Sequence, residues 1–432
     1  MTRVRTVQVV LGLGFGDEGK GTIVDWLARR AMTEAPADAP PLVIRWNGGP
    51  QAHHHVVTDD GRVHCFAQLG AASFVPGART HLAGDMAVDL YALQVELGEL
   101  SAATGVSAAD HRERVTIDPR CALVTPWHAT VNLVREVLRG AGGRHGSTGR
   151  GVAEAKLGPI RIFTGELGGG FDFAARVREV RAALIARAAS IIERATAALA
   201  DDVEHARALV ARAADDDLHE AYLDAAGIPI ALCDEPPDAS HVILESAQGA
   251  LLDRDHGFFP HVTPSRITRR AARDTARALG LDATLEVWGV LRAYHTRHGE
   301  GPFPSEDRAL AERLPELHNR DDGQAGRFRV GWFDAVLARH AIAFAGPIDR
   351  LAVTCIDRIA ALPDRAVATA WRDRASATAD DTRPSGERDV ERDVARAAPV
   401  LCPVDDVGVA ISAVLGRPID VASYGARAAD KR

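Results

Sequence analysis

Cysteine is sparse and unpaired in this chain. Cys65, Cys121, Cys233, Cys355 and Cys402 stand singly, with no Cys-x-x-Cys pair and an odd total, which gives no support for a disulfide framework and predicts reduced thiols. Positive charge is not in excess either: 51 Lys and Arg face 59 Asp and Glu, for a formal net charge of -8. A chain built to wrap nucleic-acid backbone needs a clustered cationic face, so nucleic acid is not an expected partner, although a few local Arg and Lys suffice for small anions. Long apolar runs are missing as well. The segment after Met1-Thr2-Arg3-Val4-Arg5-Thr6 is short, ends in glycines and carries no small-residue cleavage pattern, so a cytoplasmic protein without a membrane partner is expected. No internal repeat is seen.

What the chain does have is length and alternation. Its 432 residues, 46% apolar and 25% charged, allow one large α/β domain or two smaller ones. Val7 to Leu11 reads as a buried strand that meets glycines at once, and 22–30 reads as a helix with Ile23, Trp26 and Leu27 on one face. Leu42 to Trp46 reads as a second strand closing a parallel βαβ unit. Further helices are expected over 89–104 and 126–139, and a helical subregion over 171–224. Strands are expected at 241–245, delivering a loop at 246–249, and at 286–291 and 351–354. The stretch 371–396, dense in Asp, Arg, Thr and Ser, reads as a solvated insertion. Strands alternating with helices predict a large, mainly parallel central sheet flanked by helices.

The chemistry concentrates first at Gly14-Phe15-Gly16-Asp17-Glu18-Gly19-Lys20-Gly21. Its glycines and Lys20 have most of the spacing of a phosphate loop, in which backbone N–H groups approach phosphate and the lysine neutralises charge at a helix N-terminus. The same residues satisfy GxGxxG, but a dinucleotide site needs neither Lys20 nor two acids, which favours a triphosphate. Asp17 beside phosphates is electrostatically costly, and a base or metal-site role explains it better than a surface acid does. The second concentration is Asn47-Gly48-Gly49-Pro50-Gln51-Ala52-His53-His54-His55. Neighbouring strand residues point to opposite faces, so at most His53 and His55 share one, and no cluster of Cys or acids nearby completes a zinc site. Zinc, an inert polar turn and proton chemistry at one imidazole are the alternatives, and the last is favoured.

These two motifs in this order resemble adenylosuccinate synthetase, and the resemblance continues along nearly the whole chain. His145-Gly146-Ser147-Thr148-Gly149-Arg150-Gly151 resembles a phosphate loop of that family, and 245–257 with Val262-Thr263 its central signature. Gly301-Pro302-Phe303-Pro304, then 326–332, Thr354-Cys355-Ile356-Asp357 and Pro418-Ile419-Asp420-Val421 follow in family order. The resemblance implies a single domain over 1–432 with a GTPase-related, phosphate-loop architecture carrying helical and loop insertions. It implies a carbon–nitrogen ligase that couples GTP hydrolysis to joining L-aspartate to inosine monophosphate (IMP), with magnesium, as a homodimer acting on small molecules. Asp17 is implied as the base at purine N1, His54 as the acid toward the transferred phosphoryl group, and Lys20 as its electrostatic stabiliser. For GTP the implied residues are Gly16, Glu18, Gly19, Lys20 and Gly21, with Asp357, Ser423 and Gly425 at the base. Gln51, Thr148, Gln248, Thr263 and Arg327, with Asp17, are implied for IMP. Arg327, Arg329 and Gln324 are implied for the amino acid, two guanidinium groups suiting two carboxylates. Asp17 and the backbone carbonyl of His53 are implied for magnesium.

The chain departs from the family pattern mainly where substrates are read. Gln51 and His53 replace an asparagine and a glycine, Gln324 and Ala325 replace threonines, and Phe328 interrupts an arginine run. Cys355 replaces a lysine over guanine, and Tyr424-Gly425-Ala426 replaces Thr-Gly-Pro. An Arg-Arg-Gly lent across the family's dimer is missing after Gly151, with Lys156 or Arg161 as stand-ins. The phosphoryl-transfer residues remain, a pattern that suits a paralogue with altered purine nucleotide, amine or triphosphate. A nucleotide-binding regulator without catalysis is disfavoured, since binding alone demands no base and acid.

Overall fold

The computed structural model describes residues 6–34, 40–140, 143–168, 170, 172–316, 326–374 and 390–432. Its centre is a nine-stranded sheet in which every pairing is parallel. The strand order is Val421–Ala422, Arg350–Thr354, Thr284–Arg292, Thr6–Gly12, Val242–Gly249, Leu42–Arg45, Arg79–Leu82, Val115–Ile117 and Ala231–Leu232. Thr6–Gly12 is buried on both faces, because alternate side chains enter different cores: Val7, Val9 and Leu11 on one side, Val10 on the other. All four are fully buried, at roughly 1.5–3 kcal/mol each. The strand at Leu42–Arg45 is parallel to it as expected, but Val242–Gly249 lies between them, so the two do not pair.

Helix Lys20–Glu34 covers one face through Ile23, Val24, Leu27 and Ala28. Leu90–Thr104, capped by the Asp89 carboxylate on the Ala92 N–H, joins that face, as does Pro126–Leu138, whose Thr125 and His128 form a capping box. Within 172–224 the chain forms Phe173–Arg194, Ala200–Ala213 and most of Asp216–Ala226. The first two pack on Pro126–Leu138, with Trp127 Nε1 donating to Ala213 O at 2.9 Å. Arg269–Ala278, Ala335–Ala345 and Val407–Leu415 cover the opposite face.

Two features differ from the sequence reading. Residues 246–249 continue the strand from Val242 instead of forming a loop, since Gly249 pairs with Gly12. A second sheet, Tyr294–His298, Phe328–Asp334, Ala366–Asp373 and Ala397–Pro403, was not legible. It takes in Trp371, the first residue of the 371–396 stretch, which is fully buried and donates from Nε1 to Asp334 Oδ2 at 2.7 Å. Val390 and Val394 near the other end are buried too, while 375–389 lie outside the described residues. No helix among the described residues is long and apolar enough to cross a membrane.

Candidate functional site

Parallel strands end together, and here Gly12, Arg45, Gly249, Arg292, Thr354 and Ala422 bring their loops to one edge, the usual place for a ligand in such sheets. The 13–19 loop is organised from within by Glu18. Its buried carboxylate accepts from the N–H of Gly14 at 2.9 Å, the N–H of Gly16 at 2.7 Å and Lys20 Nζ at 2.9 Å. Lys20 also donates to Gly16 O at 2.6 Å and is itself buried. Thr354 Oγ1 donates to Glu18 O at 2.7 Å, tying the loop to a distant strand end. Gly249 is required here, since a Cβ on it would stand 2.2 Å from Gly14 O and 2.3 Å from Glu18 Oε1. Gly16, at φ +122°, and Gly19, at φ +82°, take backbone conformations that favour glycine. Glu18, expected at the nucleotide, thus has its side chain committed inward.

Asp17 is the outward acid of the pair, with its side chain 24% exposed. Burial pushes its carboxyl up, but the His298 hydrogen bond and the charges of His298, Arg292 and Lys20 outweigh burial and hold it below the usual range. The bond runs from His298 Nε2 to Asp17 Oδ2 at 3.2 Å. His298 was not among the residues picked out from sequence.

His54 opens the strand His54–Val57, where it is buried while His55 is half-buried; His53 before it is exposed. Its Cβ lies 2.9 Å from where a side chain on Gly21 would begin, so Gly21 admits His54 to the first turn of the Lys20–Glu34 helix. His54 Nδ1 makes a short hydrogen bond to Glu245 Oε1, and Glu245 Oε2 accepts from the Ala71 N–H at 2.9 Å. Burial, with the charge of Arg45, lowers the His54 imidazole to about 4. Burial raises the Glu245 carboxyl, but Arg45 and His54 outweigh it and keep the acid ionised. Arg45 sits beside Glu245 because their strands pair in that register. Neutral imidazole on a carboxylate fixes the tautomer: Nδ1–H donates to Glu245, and Nε2 carries the lone pair. Glu245 was missed as a functional residue because its partner is 191 positions away.

His54 is one of five buried imidazoles that burial pushes down to about 4, with His64, His81, His128 and His295. In the unfolded chain each titrates near 6.5. Between about 6.5 and 4 the unfolded chain therefore holds protons the fold does not, and stability falls as pH falls. Glu96, raised to about 7 by burial, and Asp334, raised to about 6 by burial, act oppositely, losing stability as pH rises through their folded values. Five imidazoles outweigh two carboxyls. The urea midpoint is expected to drop between pH 7.5 and pH 5; a midpoint that held or rose would show that these imidazoles do not stay neutral in the fold.

The remaining expected residues surround the loop. Gln248, at φ +57°, lies against Gly16 and Gly48, and Thr263 Oγ1 donates to its Oε1 at 3.3 Å. Asn47 accepts from the Ala247 N–H at 2.7 Å, joining the Gly48-Gly49 turn to this strand. Gln51 follows that turn with a buried Oε1 that has no partner among the described residues. Thr148 is exposed on the 143–151 loop, which Glu136 and Asn132 pin through the His145 and Gly151 N–H groups, and Gly146 reaches Gly299 and Glu300.

Arg327 and Arg329 converge on one carboxylate. Both pair with Glu306, and Arg329 also donates to Gly301 O at 2.8 Å. Gln324 lies outside the described residues. At the opposite side, Ile356 N donates to Ser423 O at 3.1 Å, and Ser423 Oγ donates to Gly425 O at 2.9 Å, which places Asp357, Ser423 and Gly425 together. Asp357 Oδ1 is buried with no partner among the described residues. Lys156 is engaged by Asp85 and Arg161 lies over the Phe163 ring.

The parallel sheet and the loops gathered at its carboxyl edge place the chain among α/β proteins that hold their ligand at that edge. Among solved structures, the fully ligated adenylosuccinate synthetase from Plasmodium falciparum is similar to this chain with a TM-score of 0.72 and 20% identity, over 98% of this chain and 99% of that one. The succinoaminodeoxyadenylate synthetase of cyanophage S-2L, bound to dGMP and dATP as an energy donor, is similar with a TM-score of 0.55 and 18% identity, over 100% and 95%. Those likenesses concern the fold. The adenylosuccinate synthetase family profile matches residues 9–400, and the chain belongs to that family, the carbon–nitrogen ligases of purine biosynthesis.

Proposed function

We propose that this protein joins L-aspartate to the six-position of IMP, using GTP to phosphorylate the six-oxygen first. The observation that carries the reading is the division of labour around one loop: Asp17 faces outward and ionised, while a buried Glu245 holds His54 against the helix that the loop begins. A lactam oxygen is a poor leaving group. Asp17 takes the proton from purine N1, the six-oxygen attacks the γ-phosphorus, and GDP departs. The aspartate amine then attacks C6, the C6–O bond breaks, and phosphate leaves carrying the six-oxygen and taking up the proton that the amine releases. His54 is neutral in the ligand-free protein; a phosphoryl group adds negative charge opposite Glu245, which favours imidazolium and lets Nε2 donate to it. Arg327 and Arg329 receive the carboxylates, exchanging Glu306 for substrate.

Magnesium fits this site. Asp17 offers a hard, ionised oxygen and His53 a backbone carbonyl, and magnesium is commonly held by one or two carboxylates plus substrate phosphates. When bound, it neutralises charge on the transferring phosphates. Asp17 and the His53 carbonyl would hold the ion together with phosphate oxygens of the substrates. The cytoplasmic homodimer of the family is part of the same reading.

Asp357 supports guanine over adenine, because its orphaned acceptor suits the guanine N–H edge. Asp357→Asn is expected to raise the KM for GTP by roughly 10- to 100-fold, the range for a hydrogen bond to a charged group, without raising that for ATP. Steady-state kinetics with both triphosphates decide this, and equal effects on the two remove Asp357 from the base site.

A second reading keeps the chemistry and changes the purine nucleotides or the amine. Cys355 at the base-reading turn favours it, as do the dGMP and dATP of the cyanophage relative. Phosphate release with mass spectrometry of products, over purine monophosphates, amino acids, GTP and ATP, separates the two. Succinylated product from IMP, aspartate and GTP alone supports the first reading; product from another set alone overturns it.

A further inference from the structure

We propose that His298 is a positioning residue that sets the orientation of the Asp17 carboxylate, an inference that rests on the base role proposed for Asp17. His298 ends the strand Tyr294–His298, which continues almost directly from the Thr284–Arg292 strand of the main sheet and so starts at the edge where the 13–19 loop lies. Antiparallel pairing sets it opposite Phe328, and the two rings meet edge to face with centroids 4.7 Å apart. The imidazole is therefore braced by the strand that carries Arg329, next to Arg327. From that brace its Nε2 reaches Asp17 Oδ2 at 3.2 Å.

The direction of this bond follows from its acceptor. A carboxylate oxygen accepts and an imidazole N–H donates, so in this pair Nε2 supplies the proton toward Oδ2. A donor held on Oδ2 fixes the torsion of the carboxylate and leaves proton acceptance to Oδ1. The other charged groups facing Asp17 do not replace that function: Arg292 Nη1 reaches its backbone oxygen at 3.4 Å, and Lys20 is engaged by Glu18 and Gly16 O. His53 and Arg150 lie within electrostatic reach of the same cluster. The ring is 36% exposed and its partner carboxylate 24%, so both are open to an incoming acceptor molecule. Phe328, which interrupts the arginine run in the sequence, thereby acquires a role: it couples the placement of the base to the strand proposed to bind the amino acid.

The test compares His298→Gln, which keeps an N–H donor, with His298→Ala, which does not. With phosphate release as the assay, His298→Ala is expected to lower kcat by roughly 10- to 100-fold with KM for the acceptor nucleotide within about 3-fold, and His298→Gln to recover most of that loss. Equal losses in the two variants, or an effect confined to KM, overturn the proposal. The hydrogen bond is also read without turnover, from the imidazole ¹⁵N signals of ligand-free protein labelled at histidine and assigned with His298→Gln. Asp17→Asn is expected to shift the His298 Nε2 signal; an unmoved signal overturns the proposal whether or not the enzyme turns over. Wild-type protein inactive on every substrate set, with the signal still shifting, overturns the proposed reaction and leaves the His298–Asp17 bond established.

Discussion

Asp17→Asn is expected to abolish measurable turnover while the protein stays folded. The substitution keeps the shape of the side chain and removes the lone-pair charge that accepts a proton. General-base catalysis contributes roughly 10²–10⁴-fold, so kcat is expected to fall by at least about that much. The stability change is small by the same geometry. The His298–Asp17 pair is partly exposed on both sides, and pairs of that kind contribute about 1 kcal/mol or less. Phosphate release measures the first effect and urea denaturation the second. Retained turnover in a folded Asp17→Asn variant would remove the proposed mechanism at its first step.

Glu18→Ala has the opposite signature, a loss of fold stability before any loss of chemistry can be read. Its carboxylate satisfies two backbone N–H groups and the buried Lys20 ammonium together. Removing one partner of a buried ion pair costs about 3–5 kcal/mol, because the other charge is left without compensation. Glu18→Gln retains an oxygen for Gly14 and Gly16 but no charge for Lys20, so its cost lies between wild type and alanine. The double variant Glu18→Ala with Lys20→Met is expected to be less destabilised than Glu18→Ala alone, since no charge is left buried. Denaturant midpoints of the four proteins test this. A Glu18→Ala protein as stable as wild type would mean that the ion pair does not organise the loop.

The two acids of the loop are adjacent in sequence, where resemblance gave Asp17 the base role and Glu18 the nucleotide; the fold separates them into an outward Asp17 and an inward Glu18. The spacing Gly14-x4-Gly19-Lys20 was enough to read the strand, turn and helix, since local glycines and apolar periodicity carry that information. It held no information on Glu18 capping the turn, which depends on Gly249 arriving without a side chain. His54 was singled out from its neighbours by resemblance, alternation saying only that His53 and His55 could share a face. Glu245 and His298 were not, because each meets its partner only through strand pairings made by distant segments. The second sheet was hidden for a different reason. Charges around Trp371, Val390 and Val394 outweigh them in any local average, yet tertiary packing buries those three. Asp357, Ser423 and Gly425 were carried by resemblance alone, and the structure puts them beside one another.

The place of Thr6–Gly12 in the sheet bears on how the chain is made. Both of its neighbours, Val242–Gly249 and Thr284–Arg292, are synthesised more than two hundred residues later. At ribosomal rates of about 5–20 residues per second, the apolar run at Val7–Leu11 waits on the order of tens of seconds for hydrogen-bonding partners. An unpaired strand of that composition is a template for aggregation during the interval. The topology that assembles the site thus leaves its central strand without partners until more than half of the chain has been made.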